Sequence, residues 1–277
     1  YYEETSPLGT AGALYKLEGL EEDFLLLCGD TVFDLDFSRL INFHREKKAW
    51  ATLVSHPNGH PYDSSLLVTE TLPPSEKGGL PVDTKRVVRW MNKEDERLWY
   101  KNRVNAGIEL ISPALLAEAK KHLAAEKVDL DRDILKPLVS SGRIYAYDTP
   151  EYIKDMGTPD RYYQVEKDIL SGLVTQRNLS HKQKAVFFDR DGTLNKDVGF
   201  LTSVDQMELV PGAAEAVKAV NESGYLAVVV TNQPVIARGD VTFEQLQEFH
   251  NKLETLLGKE GAYLDAIYYC PHHPDSG

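Results

Sequence analysis

Asp189 and Asp191 stand one residue apart, just after the apolar run Ala185 to Phe188 and just before Gly192-Thr193. In an extended chain residues i and i+2 point the same way, so both carboxylates are expected to face one small volume. Gly192 permits a sharp exit from that strand. Two carboxylates so close repel unless a cation neutralises them or one keeps its proton. A hard, oxygen-seeking ion such as Mg2+ meets that need. One Asp is then placed to attack phosphorus as a nucleophile, while the other passes a proton to the leaving oxygen. Thr231-Asn232 takes the matching place after the next apolar run, Leu226 to Val230. A hydroxyl and an amide there can hold phosphate oxygens, although ordinary turn chemistry also favours Asn. Cys270 and His272 are half of a tetrahedral zinc set, a weak signal by themselves. Candidates are sparser in the first part. The small-residue run Leu8-Gly9-Thr10-Ala11-Gly12-Ala13-Leu14 lets a ligand approach the backbone closely. Asp30 follows the apolar run Phe24 to Cys28, and Asp155 precedes Gly157-Thr158-Pro159.

The elements that must carry these residues read as two α/β domains. A length of 277 residues is comfortable for two, and 42% hydrophobic with 27% charged residues is a globular composition. The net charge of -12, with neither part basic, argues against a nucleic-acid partner. No run approaches the ~18 to 20 apolar residues of a membrane span, and the polar start is no signal peptide. Two distant cysteines suit a reducing cytoplasm. The chain begins without Met and stops in Pro274-Asp275-Ser276-Gly277, so it is expected to be a piece of a longer protein.

Apolar runs predict strands at Phe24 to Cys28, Ala49 to Ser55, Ser65 to Thr69, Arg86 to Met91, Gly107 to Ile111 and Arg143 to Tyr147. Such continuous runs suggest strands buried on both faces. Helices are expected after the Ser112 N-cap with Pro113, and from about Asp131 to Ser141, stopping at Gly142. The acids Asp129, Asp131 and Asp133 are read as capping residues, His44 and His56 as surface residues, and Glu94 to Arg97 as a solvated turn. Periodicity fades over 173–183, giving a linker between domains at 1–172 and 184–277. The second part then alternates strand, helix, strand, helix, strand. Its helices open at Pro211-Gly212 and at the Thr242/Gln245 capping box, the second closing at Gly258.

The second motif set resembles the haloacid-dehalogenase superfamily. Its parts are Phe187-Phe188-Asp189-Arg190-Asp191-Gly192-Thr193-Leu194-Asn195, Val230-Thr231-Asn232-Gln233, Ile236-Ala237-Arg238-Gly239 and Tyr268-Tyr269-Cys270-Pro271-His272-His273-Pro274. Within the superfamily it looks most like the D-glycero-D-manno-heptose 1,7-bisphosphate 7-phosphatases, with the histidinol-phosphate phosphatases as relatives. The resemblance implies that Asp189 becomes an aspartyl-phosphate, that Asp191 is the general acid and then the base, and that Thr231 stabilises the transferring phosphoryl group. It implies Mg2+ on Asp189 and on the backbone carbonyl of Asp191. It places Arg190, Asp197, Gly199, Phe200, Asn232 and Gln233 at the substrate, and Cys270 and His272 in a structural Zn2+ site. Pro234-Val235 departs from the family's Ser-Gly, and the family's lysine and late acidic ligand are expected beyond Gly277.

From about Ser6 to Val165 the chain resembles the sugar-1-phosphate nucleotidyltransferases. The parts are Leu8 to Leu14, Cys28-Gly29-Asp30-Thr31, Asn105-Ala106-Gly107 and Asp155-Met156-Gly157-Thr158-Pro159. That implies Gly9, Thr10 and Gly12 at the nucleotide, Asp30 and Asp155 on Mg2+, and Lys93, Gly107 and Glu109 near the sugar. Asn92 stands where the family has an acid, and the family's Gly-rich Arg/Lys loop is absent. The expected fold is an incomplete nucleotidyltransferase-type Rossmann-like sheet followed by an incomplete haloacid-dehalogenase-type doubly wound sheet. The expected substrates are a sugar phosphate and a nucleoside triphosphate, and the expected product is a nucleotide-activated heptose.

Overall fold

The computed structural model describes residues 2–17, 19–76, 79–123 and 126–273. Pro274 and the three residues after it, expected to close the last motif, lie outside the described residues. The first half builds a six-stranded mixed sheet from β1 (Phe24–Leu27), β3 (Ala51–His56), β4 (Leu66–Leu72), β5 (Val82–Met91), β6 (Val104–Ile111) and β7 (Ile144–Asp148). The order is β1-β6-β3-β7-β5-β4. A separate antiparallel ribbon pairs β2 (Thr31–Asp34) with β8 (Tyr152–Asp155), which the sequence reading missed because each carries only two adjacent apolar residues. Helix α1 (Phe37–Lys47), which the sequence reading did not include, is capped by Asp36; α2 (Pro113–Lys120) is capped by Ser112, as expected. Leu130–Ser141 is one irregular helical stretch containing α3 (Lys136–Leu138), and Asp129 caps it. Helix α4 (Pro159–Leu170) follows β8.

The second half is a three-stranded parallel sheet of β9 (Ala185–Phe188), β10 (Leu226–Asn232) and β11 (Ala266–Cys270), in the order β11-β10-β9. Residues 173–183, expected as a linker, hold the short helix α5 (Leu173–Gln176) and two buried residues, Arg177 and Asn178. Three more helices complete the half: α6 (Ala213–Glu222), α7 (Val235–Arg238) and α8 (Phe243–Lys259). Leu246, Phe249, Leu253 and Leu257 of α8 pack with Val217, Ala227 and Val229 into one core.

Several expectations need correction. Strands β1 and β9 are not buried on both faces: Leu25 and Leu27 are exposed, and Phe187 is 67% exposed. Phe187, Val230 and Tyr268 share one bare face of the second sheet, while Val229 and Ile267 point into the core. Gly258 does not close its helix. It lies inside α8 because Pro61 packs where a side chain would start, 2.7 Å from an added Cβ, and Gly261 makes the turn instead. His44 is buried, its Nδ1 2.8 Å from Thr52 Oγ1, and His56 is half-buried, with burial pushing it down to about 4. Arg97 is no solvated residue, since it donates to the carbonyls of Pro61, Ser64, Met91 and Asn92.

The two halves are joined by buried charges. Arg103 pairs with Asp148 at 2.8 Å and with Glu254 of α8 at 3.1 Å. Arg177 pairs with Asp265 at 2.7 Å and donates to the carbonyls of Pro150 and Tyr225. Thr255 accepts from the Tyr100 amide at 3.0 Å.

Candidate active site

Parallel strands β9 and β10 deliver their carboxyl ends side by side, which places the 189–195 loop beside Thr231 and Gln233. Polar groups gather at that end because the ladder stops there and backbone groups need new partners. The Arg190 carbonyl accepts from the amides of Thr193, Leu194 and Asn195, folding the loop tightly, and Gly192 takes a φ of +77° there. Asp189 is exposed, and its carboxylate accepts the Arg190 amide at 2.7 Å. Asp191 is partly exposed and accepts from three side chains: Arg190, Asn195 Nδ2 at 3.0 Å and Gln233 Nε2 at 2.8 Å. Thr231 is buried, its hydroxyl accepting from Gln233 at 3.0 Å.

Two residues expected at the substrate are instead interior. Arg190 is 0% exposed and Gln233 3%, and the polar ends of both are taken up by protein partners. Their polar ends face Asp191. Behind Arg190 stands His250 of α8, with Nε2 3.4 Å from the guanidinium. Burial, and then the Arg190 charge, push His250 down to about 3, so it stays neutral. Sequence reading missed His250 because it sits among the apolar residues of α8. Asn232, Asp197, Gly199 and Phe200 are exposed. Asp197 accepts the Gly199 amide at 2.8 Å, and the Arg238 guanidinium lies 4.3 Å over the Phe200 ring.

The first half's candidates are more dispersed. Asp30 and Asp155 are neighbours, because β2 pairs with β8 and the Met156 amide donates to the Asp30 carbonyl at 2.8 Å. The Asp155 carboxylate accepts from Arg161 at 2.9 Å and from the Gly157 amide at 3.1 Å. Burial works to raise it, but these bonds and the Arg161 charge outweigh burial and hold it below its ordinary value. Gly9 and Gly12 meet protein rather than open space: added Cβ atoms would lie 2.4 Å from the Val128 carbonyl oxygen and 2.7 Å from that of Glu126. The Thr10 hydroxyl accepts the Leu130 amide at 2.8 Å. This loop is therefore tied to the 126–130 segment. Gly107, with a φ of +68°, leaves room for Cys28, whose sulfur would be 2.8 Å from a Cβ. Lys93 is exposed beside Glu94, and Lys136 reaches the Asn92 side chain. Glu109 is 2% exposed, with burial first and Asp131 second pushing it up to about 8.

A family model described as nucleotidyl transferase matches residues 1–172. The chain belongs to the nucleotidyl transferase family. Beyond the nucleotidyl transferase part, similarity passes to another group. A D-glycero-beta-D-manno-heptose-1,7-bisphosphate 7-phosphatase of Haemophilus ducreyi is 45% identical over 94 residues, or 34% of this chain and 52% of that protein. Its Pasteurella multocida counterpart is 44% identical over 93 residues, or 34% and 50%. The chain thus spans about half the length of the curated relatives it matches. Among solved structures, the D,D-heptose 1.7-bisphosphate phosphatase from B. bronchiseptica complexed with magnesium and phosphate is 35% identical, with a TM-score of 0.33. That match covers 34% of this chain and 54% of that one. A putative glucose-1-phosphate thymidylyltransferase from Bacillus anthracis is 13% identical, with a TM-score of 0.46, covering 60% and 62%.

The donor sets decide what metals suit this nucleotidyl transferase chain. Among the described residues no three His, Cys, Asp or Glu gather into a group that could hold a metal ion. Structural zinc needs four protein ligands, and Cys270 with His272 supply two, so these residues alone do not fit it. Magnesium keeps several waters and needs only one or two carboxylates plus phosphate oxygens. The exposed Asp189 carboxylate fits that requirement. No helix among the described residues is long and apolar enough to cross a membrane.

Proposed function

We propose that the second half hydrolyses a phosphate monoester, the 7-phosphate of D-glycero-D-manno-heptose 1,7-bisphosphate, and that the first half transfers a nucleotidyl group to a sugar 1-phosphate. The division is 1–172 and 184–277, joined by 173–183. The observation that carries the phosphatase reading is one exposed carboxylate, Asp189, at a parallel strand end, beside a second, Asp191, held by side-chain donors. An Asp189 oxygen attacks phosphorus and the bond to the sugar oxygen breaks. Asp191 gives its proton to that oxygen, and the sugar leaves. Asp191 then takes a proton from water as the water attacks the aspartyl-phosphate, and phosphate departs with Asp189 restored. Thr231 donates to a phosphoryl oxygen, with Asn232, Asp197, Gly199 and Phe200 lining the substrate. Asp189 and the Asp191 carbonyl would hold Mg2+, which would supply charge for the phosphoryl oxygens. Zinc at Cys270 and His272 would need further ligands, and no step here uses it. Both cysteines are free, which suits the cytoplasm.

In the first half Asp30 and Asp155 would hold Mg2+ and Lys93 would lie near the sugar, while Gly9, Thr10, Gly12 and Gly107 pack against the protein's own 126–130 segment and Cys28. Occupation of Asp155 by Arg161 favours a second reading for this half, a non-catalytic scaffold. Assays with nucleoside triphosphate and heptose 1-phosphate separate the two, because only the first predicts pyrophosphate release. For the second half, phosphate release from the bisphosphate with Mg2+ is expected, exceeding that from histidinol phosphate. Asp189→Asn should abolish it, and persistent turnover in that variant would rule out the covalent route.

A further inference from the structure

Arg190 is the largest fully buried side chain among the described residues. A core position that needed only volume would take an apolar residue, since burying a guanidinium is costly unless its donors are satisfied. Here three of the contacts fall on one carboxylate. Arg190 Nη2 lies 3.0 and 2.9 Å from the two Asp191 oxygens, and Nε lies 3.2 Å from Oδ1. Nη2 also donates to Gln233 Oε1 at 2.9 Å, and His250 Nε2 faces Nη1 at 3.4 Å.

Gln233 closes the ring. Its Oε1 accepts from Arg190, while its Nε2 donates to Asp191 Oδ2 at 2.8 Å and to Thr231 Oγ1 at 3.0 Å. Turning the amide over would set its NH2 against the guanidinium, two donors facing each other, so the network admits one orientation. Asn195 Nδ2 adds a bond to Oδ1 at 3.0 Å. Both Asp191 oxygens are thereby held from the interior, by residues of the loop and of the neighbouring strand end.

We propose that Arg190 and Gln233 are positioning residues that hold the Asp191 carboxylate in a single orientation for proton transfer. The inference rests on the acid and base reading of Asp191. A group that gives a proton to the leaving oxygen and then takes one from water must keep its place through both steps, and small misplacements are expensive in rate. Because both residues are shut away from solvent, their effect reaches the substrate only through Asp191 and Thr231.

The test uses Gln233→Leu, Arg190→Lys and Arg190→Met in the full chain. Phosphate release from the heptose bisphosphate is measured in parallel with crystal structures. For Gln233→Leu and Arg190→Met, kcat should fall by about 10- to 100-fold while KM stays within about twofold, with Arg190→Lys recovering part of the loss. The crystals should show Asp191 in a second rotamer in Gln233→Leu. Unchanged kcat in Gln233→Leu, or a rise in KM alone, overturns the proposal. So does an unmoved Asp191 in that crystal. Should Arg190→Met fail to fold, Gln233→Leu and Arg190→Lys still decide. No turnover by the unsubstituted protein would sink the phosphatase reading, and the crystal comparison would still judge the clamp separately.

Discussion

The two halves hold their inner carboxyl groups by opposite means. At the second sheet's end Asp191 is met by a buried guanidinium and two side-chain amides. In the first sheet Glu109 is almost fully buried near another acid, Asp131, and is pushed up to about 8. A carboxyl with that value carries a proton at neutral pH. The junction between the halves uses the cation route again, with Arg103 set between Asp148 and Glu254. The lesson is that a cation fixes both charge and direction, whereas a proton removes the charge and leaves with rising pH.

Removing the junction cation should have the largest effect. Arg103→Met leaves Asp148 and Glu254 without their partner, and Glu254 has almost no access to water. Breaking a buried pair from one side costs about 3–5 kcal/mol, more than the pair itself contributes. Urea unfolding of Arg103→Met should show a loss of that order. A loss below about 1 kcal/mol, the range of surface pairs, would mean that water reaches these carboxylates and the comparison fails at the junction.

The proton route predicts a pH dependence of opposite sign to most acids. Folded, Glu109 keeps its proton up to about 8, and its ordinary value is 4.5. Between those values the unfolded chain binds fewer protons, so stability falls as pH rises through the window. The slope reaches about 1.4 kcal/mol per pH unit, giving a total on the order of 5 kcal/mol. Glu109→Gln should flatten that fall, read as the difference between variant and unsubstituted protein from pH 5 to 8. Parallel stability curves would show that Glu109 is ionised in the fold and has a cation or water close by.

Much of this arrangement was legible because it is local. The strand before Asp189 and Asp191, the Ser112 and Thr242 caps and the strand-helix alternation of the second half all depend on near neighbours, and the structure reproduces each of these elements. What escaped depends on distant ones. Arg190 looked like a substrate contact because its neighbours are chemical, yet His250 and Gln233, far along the chain, enclose it. Glu254 and Lys252 of α8 carry no local signal in the sequence. The first meets Arg103, and the second donates to the Val204 carbonyl and lies 4.8 Å over the Trp99 ring. Gly9 and Gly12 looked like room for a ligand, and the room is taken by the 126–128 backbone.

The smallest effect is the one that best gauges how firmly the halves meet. Gly258 sits inside α8, where Ala would ordinarily gain about 1 kcal/mol in helix propensity. Against that gain, an added Cβ would lie 2.7 Å from Cγ and 3.2 Å from Cδ of Pro61, in a ring that cannot swing aside. Overpacking of this kind costs about 1–3 kcal/mol. Pro61 is itself buried, so relief requires shifting the 61–63 turn away from α8. The clash should therefore win, and Gly258→Ala should lose about 1 kcal/mol in urea unfolding. A gain of stability would mean that the turn yields freely, and that the junction is held by its charged pairs rather than by close packing.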